Sequence, residues 1–321
     1  MPSLSKPVAA LLAAGLVHEG LLDPDADVLR WVPELDGVRV LRRPDGPLDD
    51  TEPLAVPMTT RHLLTTTSGL GIRTTPTPLS RAMADAGVHP GLVGPRLSRE
   101  ELLARLAGLP LAFQPGAAWA YHTSTDVLGT VLERASGVEL PELVAARVTG
   151  PLGTPSVSFD APPPDRLAPA FWVDDEDAWY PVDPRDPDPS VLPTLASGLW
   201  GRADETLAVF DELARPRTPP PSAIEQIRVP ALTDAQRTSA PDFLPPGYSY
   251  GWQVSVALED DPRGPRRGAV GWMGGTGTWA LVDPAADRSA VLLTNRGLDG
   301  PHGAPAVDAF LADVREAEPE R

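Results

Sequence analysis

The sequence predicts an α+β fold, with an antiparallel sheet flanked by helices and a mostly helical subregion beside it. Three observations predict it. Apolar residues recur at helical spacing in the opening segment and again through residues 98–153. The last third changes to short aromatic and β-branched runs broken by turns such as Asp283-Pro284. A final amphipathic pattern then closes the chain, so strands and helices are segregated rather than alternating.

In chain order, Ser3–Gly20 reads as a helix: Val8, Leu11, Leu12 and Leu16 share a face, Pro7 lies in the first turn and Gly20 ends it. Residues 35–57 read as loop or hairpin. "MTTRHLLTTTSGL" opens on a threonine cap and continues as a short helix. Residues 98–108, 124–137 and 140–153 follow as helices, the second capped by Ser124 or Thr125 and stopped by Gly137. The Pro/Asp-rich stretch 159–194 is too polar to pack and reads as a long surface loop rimming the site. Residues 202–215 form a helix, and 248–258, 267–275, 277–285 and 289–297 read as strands before the closing helix 304–317. The first helix is expected to pack on this sheet. The whole forms one catalytic unit, 1–321, with an α/β part (1–50 and 195–321) and a mainly helical part (51–194).

Composition removes several functions. The net charge of -17 opposes nucleic acid and anionic membranes as partners. With no cysteine there is no disulfide, thiolate nucleophile or Cys-ligated zinc, and His18, His62, His89, His122 and His302 are scattered, so no metal and no cofactor are expected. The apolar run Val8–Val17 is too short to span a bilayer. As the core of a secretory signal it would need a small-x-small site where His18-Glu19-Gly20 stands, so a cytoplasmic location is expected.

Of 27 basic residues only one is lysine, Lys6, three residues after Ser3. Positions i and i+3 share a helix face, so a hydroxyl and an amine come within reach of each other. Burial and the helix start would depress the amine pKa, and a neutral amine can accept the serine proton. Arginine cannot, because its guanidinium stays charged. Ser3 or Ser5 would equally serve as a cap, so the spacing needs partners. A Ser/His/Asp triad through His122 lacks its nucleophile elbow, since "TTTSGL" around Ser68 has no first glycine. His62 is read as a packed helix residue.

The segment "SLSKPVAALLAAGLVHEGLLDPDADVLRWVPEL" resembles the active-site helix of the serine β-lactamase-like hydrolases, a group holding class C β-lactamases, DD-peptidases, S-x-x-K carboxylesterases and acyltransferases. The likeness continues through "TTRHLLTTTSGL", "QPGAAWAYHTSTDVLG", "ASGLWGRADETLAVFDEL", "GYSYGWQ" and "GWMGGTGTWALVDPAADRSAVLLTN", covering nearly the whole chain in family order. The resemblance implies a β-lactamase/penicillin-binding-protein-like fold. It makes Ser3 the nucleophile, Lys6 the base and Tyr121, in Tyr121-His122-Thr123, the proton-moving phenol. Thr123 stands for the usual Asn and offers a hydroxyl to the substrate, with His122 lining the cleft. The third motif, Lys-Thr-Gly in lactamases and peptidases, reads Trp272-Met273-Gly274 here. The oxyanion hole is expected from the N–H groups of Ser3 and Gly275, with Gly274 allowing close approach.

Trp272 cannot hold a substrate carboxylate as lysine would, and Thr276 brings no charge. The resemblance therefore points to the esterase branch, with Trp272 as an apolar wall for a small uncharged ester or acyl substrate. Three readings stay open: a serine hydrolase, an acyltransferase with the same site, and a catalytically inactive family member acting as a binding protein. In this family a helix and two strands precede the S-x-x-K helix. Their counterpart is missing ahead of Ser3, so strand 289–297 is expected as an exposed apolar edge.

Overall fold

The computed structural model describes residues 1–72, 76–91, 94–173, 178–183, 191–262, 264–297 and 305–317. Helix α1 (Lys6–His18) carries the first apolar run and buries Val8, Leu11, Leu12 and Leu16. Each such side chain contributes about 1.5–3 kcal/mol relative to exposure. The run is therefore a core helix. Strands β1 (Val40–Leu41) and β2 (Thr51–Glu52) form the small hairpin in the 35–57 segment. Helix α2 (Thr60–Leu64) is capped by Thr59, whose hydroxyl accepts from the His62 N–H while the His62 ring accepts from the Thr59 N–H. His62 thus closes a capping box.

Helices α3 (Pro78–Asp85), α4 (Arg99–Ala107, capped by Ser98) and α5 (Thr123–Ser136) follow. The cap expected at Ser124 or Thr125 is not used. The Ser124 hydroxyl bonds Ser68 and the Leu70 carbonyl, and Thr125 donates to Gln253, so both are consumed by tertiary partners. Helix α6 (Leu140–Val144) runs through a wide turn at 145–149 into the short α7 (Gly150–Leu152). The stretch read as loop, 159–194, contains an antiparallel hairpin of β3 (Ala170–Val173) and β4 (Trp179–Val182). Its aromatic residues pair across the strands, a pattern that the surrounding Pro and Asp residues concealed. Residues 174–177 and 184–190 of that loop lie outside the described residues.

Helices α8 (Ala203–Asp211), α9 (Pro221–Arg228) and α10 (Asp234–Thr238) lead into β5 (Tyr248–Tyr250), β6 (Ser255–Ala257), β7 (Val270–Gly274), β8 (Thr278–Asp283) and β9 (Arg288–Leu292), and α11 (Pro305–Glu316) closes the chain. The five strands form one antiparallel meander in sequence order. β9 is an edge, as expected, but it is half-buried along its length because α8 and α11 pack beside it. As expected, α1 shares its core with one face of the sheet, through Val270 and Trp272 of β7 and Ala280 and Val282 of β8, while α9 and α5 are its nearest helices. A large core surrounds α1, and a smaller one, with Ala257, Ala269, Leu281, Val307 and Leu311, joins α11 to the other side of the sheet. Among the described residues, no helix is long and apolar enough to cross a membrane.

Candidate active site

The site lies where the start of α1, the start of α5 and the end of β7 converge. Ser3 precedes α1 in a tight turn, with φ of 62° and a Lys6 N–H···O=C Ser3 bond of 3.1 Å. A positive φ on a residue with a side chain is strained, and such strain clusters at functional positions. Ser5 fixes the turn from beside it: its hydroxyl donates to the Met1 carbonyl at 3.2 Å and accepts from the Leu199 N–H at 3.0 Å. It does not cap the helix.

Tyr121 reaches Ser3 from the strap before α5 and donates from its phenol to the Ser3 hydroxyl at 2.7 Å. Reciprocal backbone bonds with Ile72 hold the strap, and Gly71 permits this approach, since a Cβ there would collide with the Tyr121 carbonyl. The next residue, His122, has φ of 86° and ψ of -67° and centres a γ-turn, with the Thr123 N–H 3.3 Å from the Tyr121 carbonyl. That turn aims Tyr121 at Ser3 and swings His122 inward. His122 is buried rather than cleft-lining, and its Nδ1 lies 3.4 Å from the Lys6 Nζ.

Lys6 is wholly buried. Its amine donates to the Ala196 carbonyl at 2.7 Å and lies 4.6 Å from the centre of the Tyr121 ring. The direct contact with Ser3 expected from the i,i+3 spacing is not made. Ser3 lies before the helix, and the amine is drawn to Ala196 and His122, so Tyr121 is the group touching the nucleophile.

Burial lowers the Lys6 pKa to about 7, against a smaller opposing pull from the Asp126 carboxylate. Burial likewise pushes Tyr121 up to about 12, with the Ser3 and Trp272 hydrogen bonds acting in the other direction. Burial and the neighbouring Lys6 charge hold His122 well below the usual imidazole range. Near neutrality the site therefore pairs a neutral phenol with an amine close to its midpoint, which is poised to exchange protons.

Trp272 was expected to wall the acyl group. It is buried, and its indole N–H donates to the Tyr121 oxygen at 2.8 Å. Trp119, Phe243 and Tyr250 complete an aromatic box around that pair. Nothing in the sequence beyond the tryptophan's position in the third motif announces this bond. Gly274 lies against the chain leading to the nucleophile, where a Cβ would collide with the Pro2 carbonyl. The N–H groups of Ser3 and Gly275 donate no hydrogen bond to any described residue, as an oxyanion hole requires. The Thr123 hydroxyl is buried without a partner. Among the described residues, no group of three His, Cys, Asp or Glu side chains could hold a metal; His302 lies outside them.

An α+β scaffold with a serine at the entry to a central helix, a buried lysine one turn on and a phenol between them defines the class of serine-dependent acyl-transfer proteins that share the penicillin-binding-protein fold. The chain belongs to the Beta-lactamase family, whose pattern matches residues 1–312. Esterase EstB of Burkholderia gladioli is 32% identical over 328 residues, covering 94% of this chain and 78% of the esterase. The Mycobacterium tuberculosis protein Rv1367c is 32% identical over 341 residues, covering 99% of this chain and 83% of its own. Among solved structures, EstCE1, described as a hydrolase with promiscuous acyltransferase activity, superposes with a TM-score of 0.81 at 26% identity, covering 99% of this chain and 84% of its own.

Proposed function

We propose that this protein is a serine hydrolase that cleaves small uncharged esters through an acyl-Ser3 intermediate. The observation that carries the reading is the 2.7 Å bond between Tyr121 and Ser3 beside the buried Lys6 amine. The Ser3 oxygen attacks the ester carbonyl carbon, and its proton passes to the Tyr121–Lys6 pair. The Ser3 and Gly275 N–H groups receive the developing oxyanion. Collapse of the tetrahedral intermediate breaks the bond to the alcohol oxygen, which takes the proton and leaves. Water then attacks the acyl-serine, gives its proton to the same pair, and Ser3 recovers a proton as the acid departs.

The substrate class follows from what surrounds the site. Trp272 stands where lactamases and peptidases place a cation. It also lines a cavity of about 60 Å³ with Phe243, Leu244, Met273 and Trp279, whose described wall includes Asp242 and Asp308 but no Lys or Arg and does not include Ser3, Lys6 or Tyr121. A penicillin or D-Ala-D-Ala carboxylate would find no cation at Trp272, which favours an uncharged acyl group beside Ser3.

The promiscuous acyltransferase activity ascribed to EstCE1 favours a second reading, in which an alcohol replaces water as acyl acceptor. A fluorophosphonate probe tests the common step. Labelling on the Ser3 peptide, together with p-nitrophenyl ester turnover well above penicillin turnover, is expected. Folded protein that takes no label would instead be a binding member of the family. Adding candidate alcohols during acyl-enzyme breakdown separates the hydrolase from the acyltransferase.

A further inference from the structure

One charged side chain buried close to the site has no role in the chemistry just described. Asp126 lies on the first turn of α5 and is almost fully buried, followed by the apolar Val127, Leu128, Val131 and Leu132. A buried carboxylate is costly unless it is hydrogen-bonded or opposed by a cation. Its hydrogen-bond partner is the Thr194 hydroxyl, which donates to it.

Thr194 opens a strap that is bonded to the start of α1. Its hydroxyl oxygen accepts from the Ala196 N–H at 3.0 Å, and the carbonyl of the same residue accepts from the Lys6 amine at 2.7 Å. The strap is pinned at its other end by the Leu199 N–H to Ser5 bond of 3.0 Å. Asp126, Thr194, Ala196 and Lys6 thus form a continuous buried chain from carboxylate to amine.

We propose that Asp126 is a positioning residue for Lys6: through the Thr194 hydroxyl and the Ala196 residue it fixes the carbonyl that holds the amine, and it supplies the buried negative charge opposed to that amine. This rests on the reading of Lys6 as the base at Ser3. The other groups around the pair carry a different sign or none. Tyr121 and His122 face Lys6 as neutral rings, with His89 farther out beside His122. Arg99, from α4, faces Asp126, but its guanidinium is paired with Glu133. Without Asp126, the Ala196 carbonyl and the Tyr121 ring face still favour the ammonium form but no opposed charge does, and the strap loses its anchor in α5. Burial would then draw the amine further toward its neutral form, while its direction would be less well held.

Because Lys6 is the sole lysine, ¹⁵N-lysine incorporation yields one side-chain signal, whose titration reads this amine directly and without any activity assay. Asp126→Asn keeps the size and an acceptor for Thr194 but removes the charge. The Lys6 signal is expected to titrate at lower pH than in the unaltered protein, since the carboxylate that opposes the effect of burial is gone. The acid limb of kcat/KM should move with it. Thr194→Val cuts the chain while leaving the carboxylate, and kcat should fall about ten- to hundredfold with KM little changed, as for a buried group left without its bond. Thr194→Ser should restore it. A Lys6 signal that titrates in Asp126→Asn as in the unaltered protein overturns the proposal. So does a Thr194→Val enzyme with unchanged kcat, which decides the matter if Asp126→Asn does not fold. If the Lys6 signal shifts as expected but Lys6→Arg still turns over esters, the positioning of Lys6 by Asp126 stands and the assignment of Lys6 as base fails.

Discussion

The Trp272 indole N–H donates to the Tyr121 phenol oxygen at 2.8 Å, while that phenol donates to Ser3 at 2.7 Å. Trp272 thus both lines the neighbouring cavity and binds the phenol that touches Ser3. When the phenol gives up its proton, the indole N–H faces a developing anion, where a hydrogen bond is strongest.

Trp272→Phe keeps an aromatic ring in the box and deletes this donor along with the volume of the indole's second ring. Hydrogen bonds to charged groups are worth about 1.5–3 kcal/mol, so kcat should fall by about 10- to 150-fold with little change in KM. A simple wall would behave in the opposite way, changing KM and sparing kcat. Steady-state kinetics on a p-nitrophenyl ester distinguish the two.

Lys6→Arg retains positive charge and removes the titratable amine. Turnover should drop by the roughly 10²–10⁴-fold that a general base contributes. The larger guanidinium must also fit a fully buried site. Lys6→Met, which has nearly the same length and no charge, is the companion variant and should be equally slow while remaining folded by circular dichroism. Ester turnover within about tenfold of the unaltered protein by either folded variant would remove Lys6 from the mechanism.

Activity should rise with pH through neutrality. The Lys6 pKa is lowered to about 7, so the amine carries its proton below that pH and cannot accept the one from serine; above it the amine is free. The same group gives stability a defined direction. Between about 7 and its unfolded value of 10.5, the unfolded chain binds the proton and the folded chain does not, so stability contributed by this site rises with pH across that window. Thermal melts at pH 7 and pH 9, repeated on Lys6→Met, isolate the contribution: the difference should shrink in the variant.

Gly274→Ala places a methyl group against the Pro2 carbonyl, on the chain that leads directly to Ser3. Overpacking of this kind costs about 1–3 kcal/mol and displaces backbone. The prediction is a modest loss of melting temperature together with a loss of fluorophosphonate labelling far greater than the stability change alone would produce. A variant labelled at the normal rate would place the oxyanion hole elsewhere.

Local signals carried much of this molecule. The α1 apolar face, the Thr59 and Ser98 caps and the C-terminal meander each follow from residues adjacent in the chain, where periodicity and capping act over one or two turns. The β3–β4 hairpin was missed because its strand character lies in cross-strand aromatic pairing, while proline and aspartate dominate its flanks. The caps expected at Ser124 and Thr125 failed for a related reason: Ser68, Leu70 and Gln253 are far away in sequence and take those hydroxyls first.

The candidate site divides in the same way. Lys6, and with it Ser3 three residues earlier, could be singled out from residue type, as one titratable amine among many guanidinium groups; Tyr121 and the glycines at 274 and 275 are singled out only by the resemblance of their segments to the family's second and third motifs. What the sequence determined by itself was therefore which groups are available. The tertiary structure decided which of them touch. Ser3 meets Tyr121 rather than Lys6, Trp272 grips the phenol, and Lys6 is held by a carbonyl 190 residues away. Hydrogen bonds act over about 3 Å, and that distance between groups so remote in sequence is set by the packing of α1, α5 and β7 around one another.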